Sequence, residues 1–424
     1  LFPGISLSLK GANPSRAITL TVANNVDSAA TNIKDFVDGF NGLMDYIDQQ
    51  VQFDSQSNTA GPLLGNIQVT SIQDQVRRTL LGSVTGLNSK MNRLGAIGIT
   101  LDDNGHLQLD QGKLNDALSG NIAGVSLDDV RRLFSLSATS SDPGIEFVTG
   151  GAQTKTGSTV QTVITQAAEQ ASIQATSALA ASTTIDGTNN TVTLNVDGAN
   201  GVTLHLRQGT YSRLALEQEL QAQIDASSLA GRGAQVSLNG NNLVVTSGSY
   251  GANSRVSLGG GTGLSALGFA GTESDSGQDV AGHFLVNGQI EAAAGAGQLL
   301  LGSKGNANTA DLEVRVHLTA AQVGAGSTSD LTVTRGVASA ADALLTNLLD
   351  PVNGRLKTVD DSYQSNLDDI QKTVNFQTAL MAQQKDALMQ KFANLETTVS
   401  QLQGIGNFLT QQFASLNGIS TGRK

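Results

Sequence analysis

Four histidines are the side chains of this sequence best suited to bind a transition metal, because a neutral imidazole is a common zinc ligand. They lie far apart and form no HExxH motif: His106, His205, His283 and His317. His205 and His317 stand inside alternating apolar and polar runs, which are typical of strands. A packing or surface role is expected there, and we predict no metal site on these residues.

One acidic run, Asp102-Asp103-Asn104-Gly105, is superficially similar to a calcium-binding loop. Such a loop requires the spacing D-x-[DN]-x-[DN]-G, which places an aspartate five positions before the glycine. Thr100 occupies that position. The run is therefore predicted to be a turn.

Phosphate-binding and nucleophile motifs are also missing from the sequence. Gly261-Thr-Gly263 and Gly295-Ala-Gly297 do not continue into GxGxxG or GxxxxGK[ST], and no GxSxG elbow occurs. The pairs Asp360-Asp361 and Asp368-Asp369 fall in a helical pattern, where solvated charge is the normal state. We predict no catalytic, cofactor-binding or metal-binding residue and no cofactor, so the protein is not expected to be an enzyme.

The composition excludes further classes of function. Of 424 residues 39% are hydrophobic, so the chain can bury a core, and its net charge of −11 argues against a general nucleic-acid binder. The absence of cysteine excludes disulfides and thiol nucleophiles. No apolar run approaches the ~18–20 residues that span a bilayer, which predicts no membrane insertion. At about 100–200 residues per domain, this length predicts two to four domains.

The first quarter of the chain is predicted to contain two strands and a long helix. The strands are Ile5–Leu9 and Ala17–Val22, and alternation so near Leu1 indicates that the chain starts inside a structural element. A helix over residues 28–53, capped by Asp27 or Ser28, follows from one apolar stripe. Its members are Ile33, Phe36, Phe40, Ile47 and Val51.

Shorter elements are predicted over residues 68–134. A helix covers 68–82, and Ile97–Leu109 reads as a hairpin around Asn104-Gly105. Asp110 is expected to cap a helix over 111–118, and Ser126 with Asp129 forms a capping-box pattern before a helix over 127–134.

A change of composition marks residues 141–335, where Ser, Thr, Gly, Asn and Ala dominate. The block is predicted to be an antiparallel β-rich insertion of one or two units, with one helix at Ser212–Ile224 and a hairpin turn at Asn239-Gly240. The expected strands include Thr191–Val196, Val202–Leu206, Gln235–Leu238, Leu243–Thr246 and Leu312–Leu318.

The last part of the chain is predicted to be helical. After a helix at Val337–Leu349, steps of three and four residues define a near-heptad coiled-coil seam. Its apolar members are Val359, Tyr363, Leu367, Ile370, Val374, Met381, Leu388, Phe392, Leu395, Val399 and Leu402. Lys357–Gln403 would span roughly 70 Å at 1.5 Å per residue, and Gly404 and Gly406 are expected to interrupt the helix.

A helix of that length needs a partner for its seam, and the helix over 28–53 has the same period. We therefore predict that the two helices pair into one stalk. Gln377 and Gln384 lie on the seam, where they either fix the register or are merely tolerated. The predicted fold is α+β: a β-rich head segment ending at 26, a stalk formed by 27–140 and 336–424, and an inserted head over 141–335.

Three stretches in order carry a resemblance to a known family. They are Gly4–Lys10 with Ile18–Val22 and Ile33–Asn41, then Gly95–Phe134, then Gln390–Glu396 with Leu402 and Asn407–Leu409. Together they resemble the flagellar filament cap family, also called flagellar hook-associated protein 2. Val280–Leu318 also resembles the IN motif of flagellin and hook-associated proteins. Departures from the family are the Gln-rich Gln377–Gln390 and the residues Phe40 and Phe408, where tyrosine is usual.

The resemblance implies a non-enzymatic assembly protein. Several copies would form a ring-like homo-oligomer at the distal end of the flagellar filament, outside the cell, after secretion through the flagellar export apparatus. There the cap would promote folding and insertion of flagellin. The hook–filament junction protein is a further implied partner, and a dedicated export chaperone and host glycans are additional candidates. The family's early stalk helix would precede residue 1.

Three alternatives stay open at the level of sequence. A hook–filament junction protein or an atypical flagellin is one, and the third stretch argues against it. A secreted adhesin that binds mucin or glycans through residues 141–335 is another and could coexist with capping. A cell-wall hydrolase is the least favoured.

Overall fold

A computed structural model describes residues 25–419 except 55, 57, 325 and 326. The predicted strands Ile5–Leu9 and Ala17–Val22 lie outside the described residues. The chain forms two compact units, of which the first ends at Leu345 and the second begins at Thr346. Helices occur together with sheets whose described strand pairs are all antiparallel, which confirms the α+β class.

Residues 26–134, here called the helical base, hold four helices and two short hairpins. The elements are α1 Val26–Val51, β1 Phe53–Asp54, β2 Thr59–Ala60, α2 Ile67–Leu81, β3 Ile99–Leu101, β4 Leu107–Leu109, α3 Gln111–Leu118 and α4 Leu127–Phe134. The predicted hairpin is β3 paired with β4, although Ile97 belongs to a short 3₁₀ turn before it.

Side-chain caps define where these helices start. Asp110 accepts hydrogen bonds from the backbone N–H groups of Gly112 and Lys113, and Ser126 and Asp129 form the predicted capping box. The predicted cap of α1 is wrong. Asn25 caps it instead, because its non-helical backbone lets the side-chain oxygen accept from Ser28 N at 3.0 Å.

The chain then enters a sheet and leaves it again. The first sheet strands are β5 Leu136–Ser140, β6 Ile145–Thr149 and β7 Thr159–Gln166. Residues 171–276, here called the outer β unit, follow. Its elements are β8 Ser172–Gln174, β9 Ser182–Ile185, β10 Thr191–Val196, β11 Ala199–His205, β12 Gly209–Ser212, α5 Arg213–Asp225, β13 Gln235–Asn239, β14 Asn242–Thr246, β15 Arg255–Gly260 and β16 Ser274–Ser276.

The chain returns to the first sheet after the outer β unit. The returning elements are β17 Ala281–Val286, β18 Gln289–Ala296, β19 Leu299–Gly302, β20 Glu313–Val316, α6 Ala320–Val323 and β21 Ser327–Arg335. The strand order is β5-β21-β7-β17-β18-β19-β20-β6. The end strands β5 and β6 contact each other, so the sheet curls into a nearly closed barrel.

The barrel and the outer β unit have separate apolar cores. Phe284, Leu300 and Leu331 are fully buried in the barrel. Leu216 and Leu220 of α5 are fully buried against the sheets of the outer β unit. The inserted block therefore consists of two β units, and β5 extends the described sheet to Leu136, before residue 141.

Most predicted elements of the block occur with shifted ends. The strand Thr191–Val196 is observed as predicted, and the helix is Arg213–Asp225 with Ser212 as its cap. The hairpin at Asn239-Gly240 is confirmed by the pairing of Asn239 with Asn242. Two further hairpin turns, Asp197-Gly198 and Asn287-Gly288, have positive φ at both residues, as type I′ turns require.

Two helices complete the described chain. They are α7 Val337–Leu349 and α8 Arg355–Ile419. With 65 residues, α8 is about 98 Å long at 1.5 Å per residue. The predicted interruption at Gly404 and Gly406 is wrong, because the helix continues through both. A glycine inside a helix costs only about 1 kcal/mol relative to alanine, which an otherwise regular helix tolerates.

Candidate assembly surfaces

The seam of α8 is exposed along nearly its whole length. Val359 is half-buried, while ten predicted seam residues are between 43% and 69% exposed: Tyr363, Leu367, Ile370, Val374, Met381, Leu388, Phe392, Leu395, Val399 and Leu402. Burial of each of these large side chains would remove apolar surface from water, which favours association. The helix therefore presents one continuous face suited to packing against other helices.

The middle of α8 is apolar on both sides of its seam glutamines. Val374 lies on one side of Gln377, and Leu380 with Phe376 lies on the other. Phe376 is 70% exposed and Leu380 is 43% exposed. This arc is wider than the two seam positions that a two-stranded coiled coil uses. It is therefore suited to more than one neighbouring helix.

Charge is distributed unevenly along α8. The N-terminal part carries exposed ion pairs within the helix, Lys357 with Asp361 and Lys372 with Asp369. Such exposed pairs contribute about 0.3–0.5 kcal/mol each. Residues 397–419 contain no charged side chain. Packing of this end therefore depends on apolar and amide contacts.

In α1, by contrast, the apolar stripe is covered. Ile33, Val37, Phe40 and Met44 are buried, and α1 packs against α2, α3 and β4 of the helical base. The rings of Phe36 and Phe134 meet edge to face, with centroids 5.9 Å apart. The stripe thus forms part of the core of the first unit.

Asn41 fixes the hairpin to α1. Its side-chain Nδ2 donates to Leu107 O at 2.9 Å, and its Oδ1 accepts from Leu107 N at 2.7 Å. The amide therefore satisfies both backbone groups of one β4 residue, as a neighbouring strand would. Asn41 ends the first stretch that carries the family resemblance, and the sequence had offered no role for it.

An apolar furrow remains open along α1. At one end a cavity of about 520 Å³ is lined by Ile33, Phe36, Val130 and Ala338, among others. At the other end a cavity of about 250 Å³ is lined almost entirely by apolar groups. Phe36 belongs to both, so the two cavities form one furrow on the first unit.

The predicted site residues thus fall into two groups. Ile33 and Phe40 of the predicted partner helix are buried in the first unit, and Phe36, Ile47 and Val51 are half-buried. The seam residues of α8 are in the second unit. That the two helices pair into one stalk stays a prediction, as do the domain boundaries.

The groups that could do chemistry form no catalytic arrangement in the described part of the chain. His106 Nε2 lies 3.0 Å from Asp45 Oδ1, and His317 lies 3.6 Å from Glu146. No cluster of three His, Asp or Glu suited to a metal occurs among the described residues. No described helix is both long and apolar enough to cross a membrane.

The acidic run is the turn that its spacing predicted. Asp102 Oδ1 accepts from Asn104 N and His106 N, both at 2.9 Å, and Gly105 has a φ of 84°. The hydrogen bond from the His106 backbone, more than any other cause, holds the pKa of the Asp102 carboxyl below its usual range. The Asp102 carboxylate therefore stabilises the turn at the tip of the β3–β4 hairpin.

Arg335, at the end of β21, was not singled out by the sequence. Its guanidinium donates to the carbonyls of Ala152 and Thr154 at 3.0 and 2.8 Å, and to Ser339 Oγ at 3.1 Å. Burial lowers the pKa of this guanidinium from its ordinary value. Arg335 thereby ties the barrel to the first turn of α7.

Comparison with protein families matches residues 1–193 to the family described as flagellar hook-associated protein 2 C-terminus. Over these residues the chain is similar to the flagellar hook-associated protein 2 family. The match contains the first two stretches of the resemblance. The third, Gln390–Leu409, lies outside the matched range.

Individual hook-associated protein 2 sequences agree with this. The B-type flagellar hook-associated protein 2 of Pseudomonas aeruginosa is 30% identical over 128 residues, which are 29% of this chain and 27% of that protein. The flagellar hook-associated protein 2 of Escherichia coli K12 is 36% identical over 109 residues, or 24% of this chain and 23% of that protein. The chain thus matches about a quarter of the length of these relatives.

Solved structures similar to the chain include the D1-D2-D3 domains of the flagellar cap protein FliD from Escherichia coli. That likeness has 17% identity and a TM-score of 0.32, and covers 50% of this chain and 60% of that one. The likeness to the flagellar cap protein FliD from Bdellovibrio bacteriovorus has 14% identity and a TM-score of 0.30. It covers 46% of this chain and 99% of that one. The similarity to the hook-associated protein 2 family therefore rests on the sequence matches.

Proposed function

We propose that this chain is a subunit of a flagellar filament cap. Several copies assemble at the distal end of the filament, outside the cell, and hold exported flagellin while it folds and inserts. The observation that carries the proposal is the exposed seam of α8, a helix of 65 residues whose apolar face is left for other helices. The similarity of residues 1–193 to the flagellar hook-associated protein 2 family supports the flagellar setting.

The character of α8 supports assembly through helices. Its apolar arc widens around Gln377, which suits a bundle of several helices better than a single pair. The uncharged end over 397–419 can slide against a neighbour without breaking ion pairs. Both properties suit a support whose contacts are made and broken repeatedly as the filament grows.

The two β units fit the part of a head. They are built on separate cores, and their exposed positions are rich in Ser, Thr, Asn and Gly. We assign no chemistry to the head, and we regard the protein as a structural one. The adhesin alternative has no specific support among the described residues or in the comparisons.

Two adjacent residues of α8 provide the sharpest test of assembly. Leu388 is on the seam and 54% exposed, whereas Met389 is off the seam and 56% exposed. Leu388→Asp would bury a carboxylate between packed helices, while Met389→Asp leaves its carboxylate in water. We expect the purified Leu388→Asp protein to remain monomeric in light scattering and the Met389→Asp protein to oligomerise as the unsubstituted protein does.

The same two variants should behave differently in cells. A strain that lacks this gene should secrete flagellin monomers and carry no filaments, and Met389→Asp but not Leu388→Asp should restore filaments. Normal filaments in the deletion strain would refute the cap function. Equal oligomers from both variants would refute the role of the seam and leave the cap function to be judged by the deletion.

Partners beyond flagellin follow only from the family. The hook–filament junction protein and an export chaperone are proposed on that basis, and host glycans are the least supported. A pull-down with the full chain measures the binding of each candidate partner separately. The Met389→Asp variant serves as a folded control.

A further inference from the structure

The outer β unit and the barrel are connected by two short passages of chain. Residues 167–170 lead out of β7 and residues 277–280 lead back into β17. Each unit has its own buried core, and Ala167, Ala168 and Val280 of the passages belong to the barrel core. The two units can therefore change their mutual angle without disturbing either core, provided that bending is confined to residues 169–170 and 277–279.

The passages themselves form a narrow ribbon. Glu169 N donates to Gln278 O at 2.8 Å, and Gln278 N donates to Glu169 O at 3.2 Å. Gln278 Nε2 also donates to the Glu169 carboxylate at 3.1 Å. A two-stranded ribbon of this length is marginal by itself. Such a ribbon can bend, and the angle between the two units must then be set by other contacts.

One carboxylate oxygen supplies such a contact on both sides of the hinge. Asp279 Oδ1 accepts from Gly297 N of the barrel at 2.7 Å and from Ala252 N of the outer β unit at 3.1 Å. Hydrogen bonds to an ionised acceptor are about twice as strong as neutral ones. The side chain thus joins the β18–β19 turn to the turn that precedes β15.

Close backbone contact accompanies this bridge. Gly251 has a φ of +92°, and a Cβ there would lie 2.2 Å from Asp279 Oδ1 and 2.6 Å from Gly297 Cα. Only glycine lets the two turns approach so closely. Gly251 N also donates to Glu169 O at 3.0 Å, which ties the same turn to the hinge ribbon.

We propose that Asp279 is the latch of a hinge between the outer β unit and the barrel. With the latch closed, one carboxylate oxygen and the Gly251–Gly297 contact hold the two units at a fixed angle. With the latch open, the outer β unit swings about the ribbon at Glu169 and Gln278 while both cores stay folded. The Asp279 side chain then decides whether the outer β unit is held at that angle.

The absence of cysteine permits a direct distance measurement in the full chain. Ser228→Cys on the outer β unit and Thr328→Cys on the barrel are exposed sites for nitroxide labels. The distance distribution from electron double resonance should be narrow in the labelled background. With Asp279→Ala added, we expect it to become at least twofold wider while the circular dichroism spectrum is retained.

Asp275→Ala is the matched control. Asp275 Oδ2 accepts from Ser172 N at 2.8 Å, and both residues lie within the outer β unit, so this change removes the same charge without crossing the hinge. A narrow distribution in Asp275→Ala and a wide one in Asp279→Ala support the latch. An unchanged width in folded Asp279→Ala overturns it. Should Asp279→Ala not fold, Gly251→Ala decides: a wide distribution supports the latch and a narrow one overturns it.

Discussion

The helices α1 and α8 carry the same kind of apolar stripe in different surroundings. Phe40 of α1 is 6% exposed, because α2, α3 and β4 cover it. Phe392 of α8 is 68% exposed. A 20-residue helix already spans about 30 Å, roughly the diameter of a small domain. A helix of 65 residues is much longer than such a domain is wide, so the proposed assembly leaves its stripe to be covered by other helices.

The largest expected difference between the two stripes is in stability. Phe40→Ala should lower the free energy of unfolding of the first unit by about 3–5 kcal/mol, because it leaves a cavity in a packed core. Phe392→Ala should change it by less than about 0.5 kcal/mol in the monomer, as surface substitutions do. Urea denaturation at low protein concentration measures both.

The comparison would fail if the two substitutions had equal effects in the monomer. A large loss in Phe392→Ala would mean that α8 is covered within a single chain. At high protein concentration Phe392→Ala should instead weaken the oligomer. Stability measured at several concentrations distinguishes these cases.

Acid should act mainly on the first unit, where carboxylates are built into the fold. Burial alone would raise the pKa of Glu291, but hydrogen bonds from the side chains of Thr309 and Asn308 and from their backbone lower the pKa overall. A folded pKa below the unfolded one means that Glu291 contributes stability above the unfolded pKa, which is lost as pH falls through the folded value. The fall should therefore begin below about pH 4.5.

Glu291→Gln tests this contribution. At pH 7 it should cost about 1.5–3 kcal/mol, the range for hydrogen bonds to a charged group, because one oxygen acceptor is lost. As pH falls below about 4.5, the difference in stability between the variant and the unsubstituted protein should narrow. Glu396→Gln on the exposed face of α8 is the control and should leave the pH profile unchanged. A constant gap between Glu291→Gln and the unsubstituted protein down to pH 3 would contradict the assignment.

The smallest effect concerns glycines within the helices. An added Cβ at Gly42 of α1 or Gly404 of α8 meets nothing within 4 Å. Alanine should stabilise each helix by about 0.5–1 kcal/mol through lower backbone entropy in the unfolded chain. Gly42→Ala should raise the free energy of unfolding of the first unit. Gly404→Ala should slow amide exchange only near its own site, and a shift of the main unfolding transition by Gly404→Ala would contradict the separation of the two units.

The sequence predicted what local rules determine. Periodicity identified α1, α7 and most of α8, and cap chemistry placed Asp110 and Ser126 at helix starts. Strand ends shifted because neighbouring strands decide where pairing stops; Val202–Leu206, for example, became Ala199–His205 by pairing with β10. The ends of short elements therefore depended on contacts that are distant in sequence.

Contacts between distant residues could not be predicted. Asn41 and Leu107 are 66 positions apart, and Asp279 is joined to Ala252 only because two turns meet in space. Arg335 lacked any motif, since most of its acceptors are backbone carbonyls. The prediction that Gly404 and Gly406 interrupt the helix was wrong, because helix propensity is a weak signal beside a long regular pattern.

The barrel's topology has a consequence for the order of folding. The hydroxyls of Ser140 in β5 and Ser329 in β21 meet at 2.8 Å, although 189 positions separate them. The outer β unit lies entirely between these two strands in sequence, so it can fold from local contacts. The barrel cannot close until its last strand, β21, is available. Closing a loop of that length is slow, and unpaired strand edges promote aggregation until it is complete. In a chain that emerges gradually, N-terminus first, the outer β unit would therefore fold before the barrel closes.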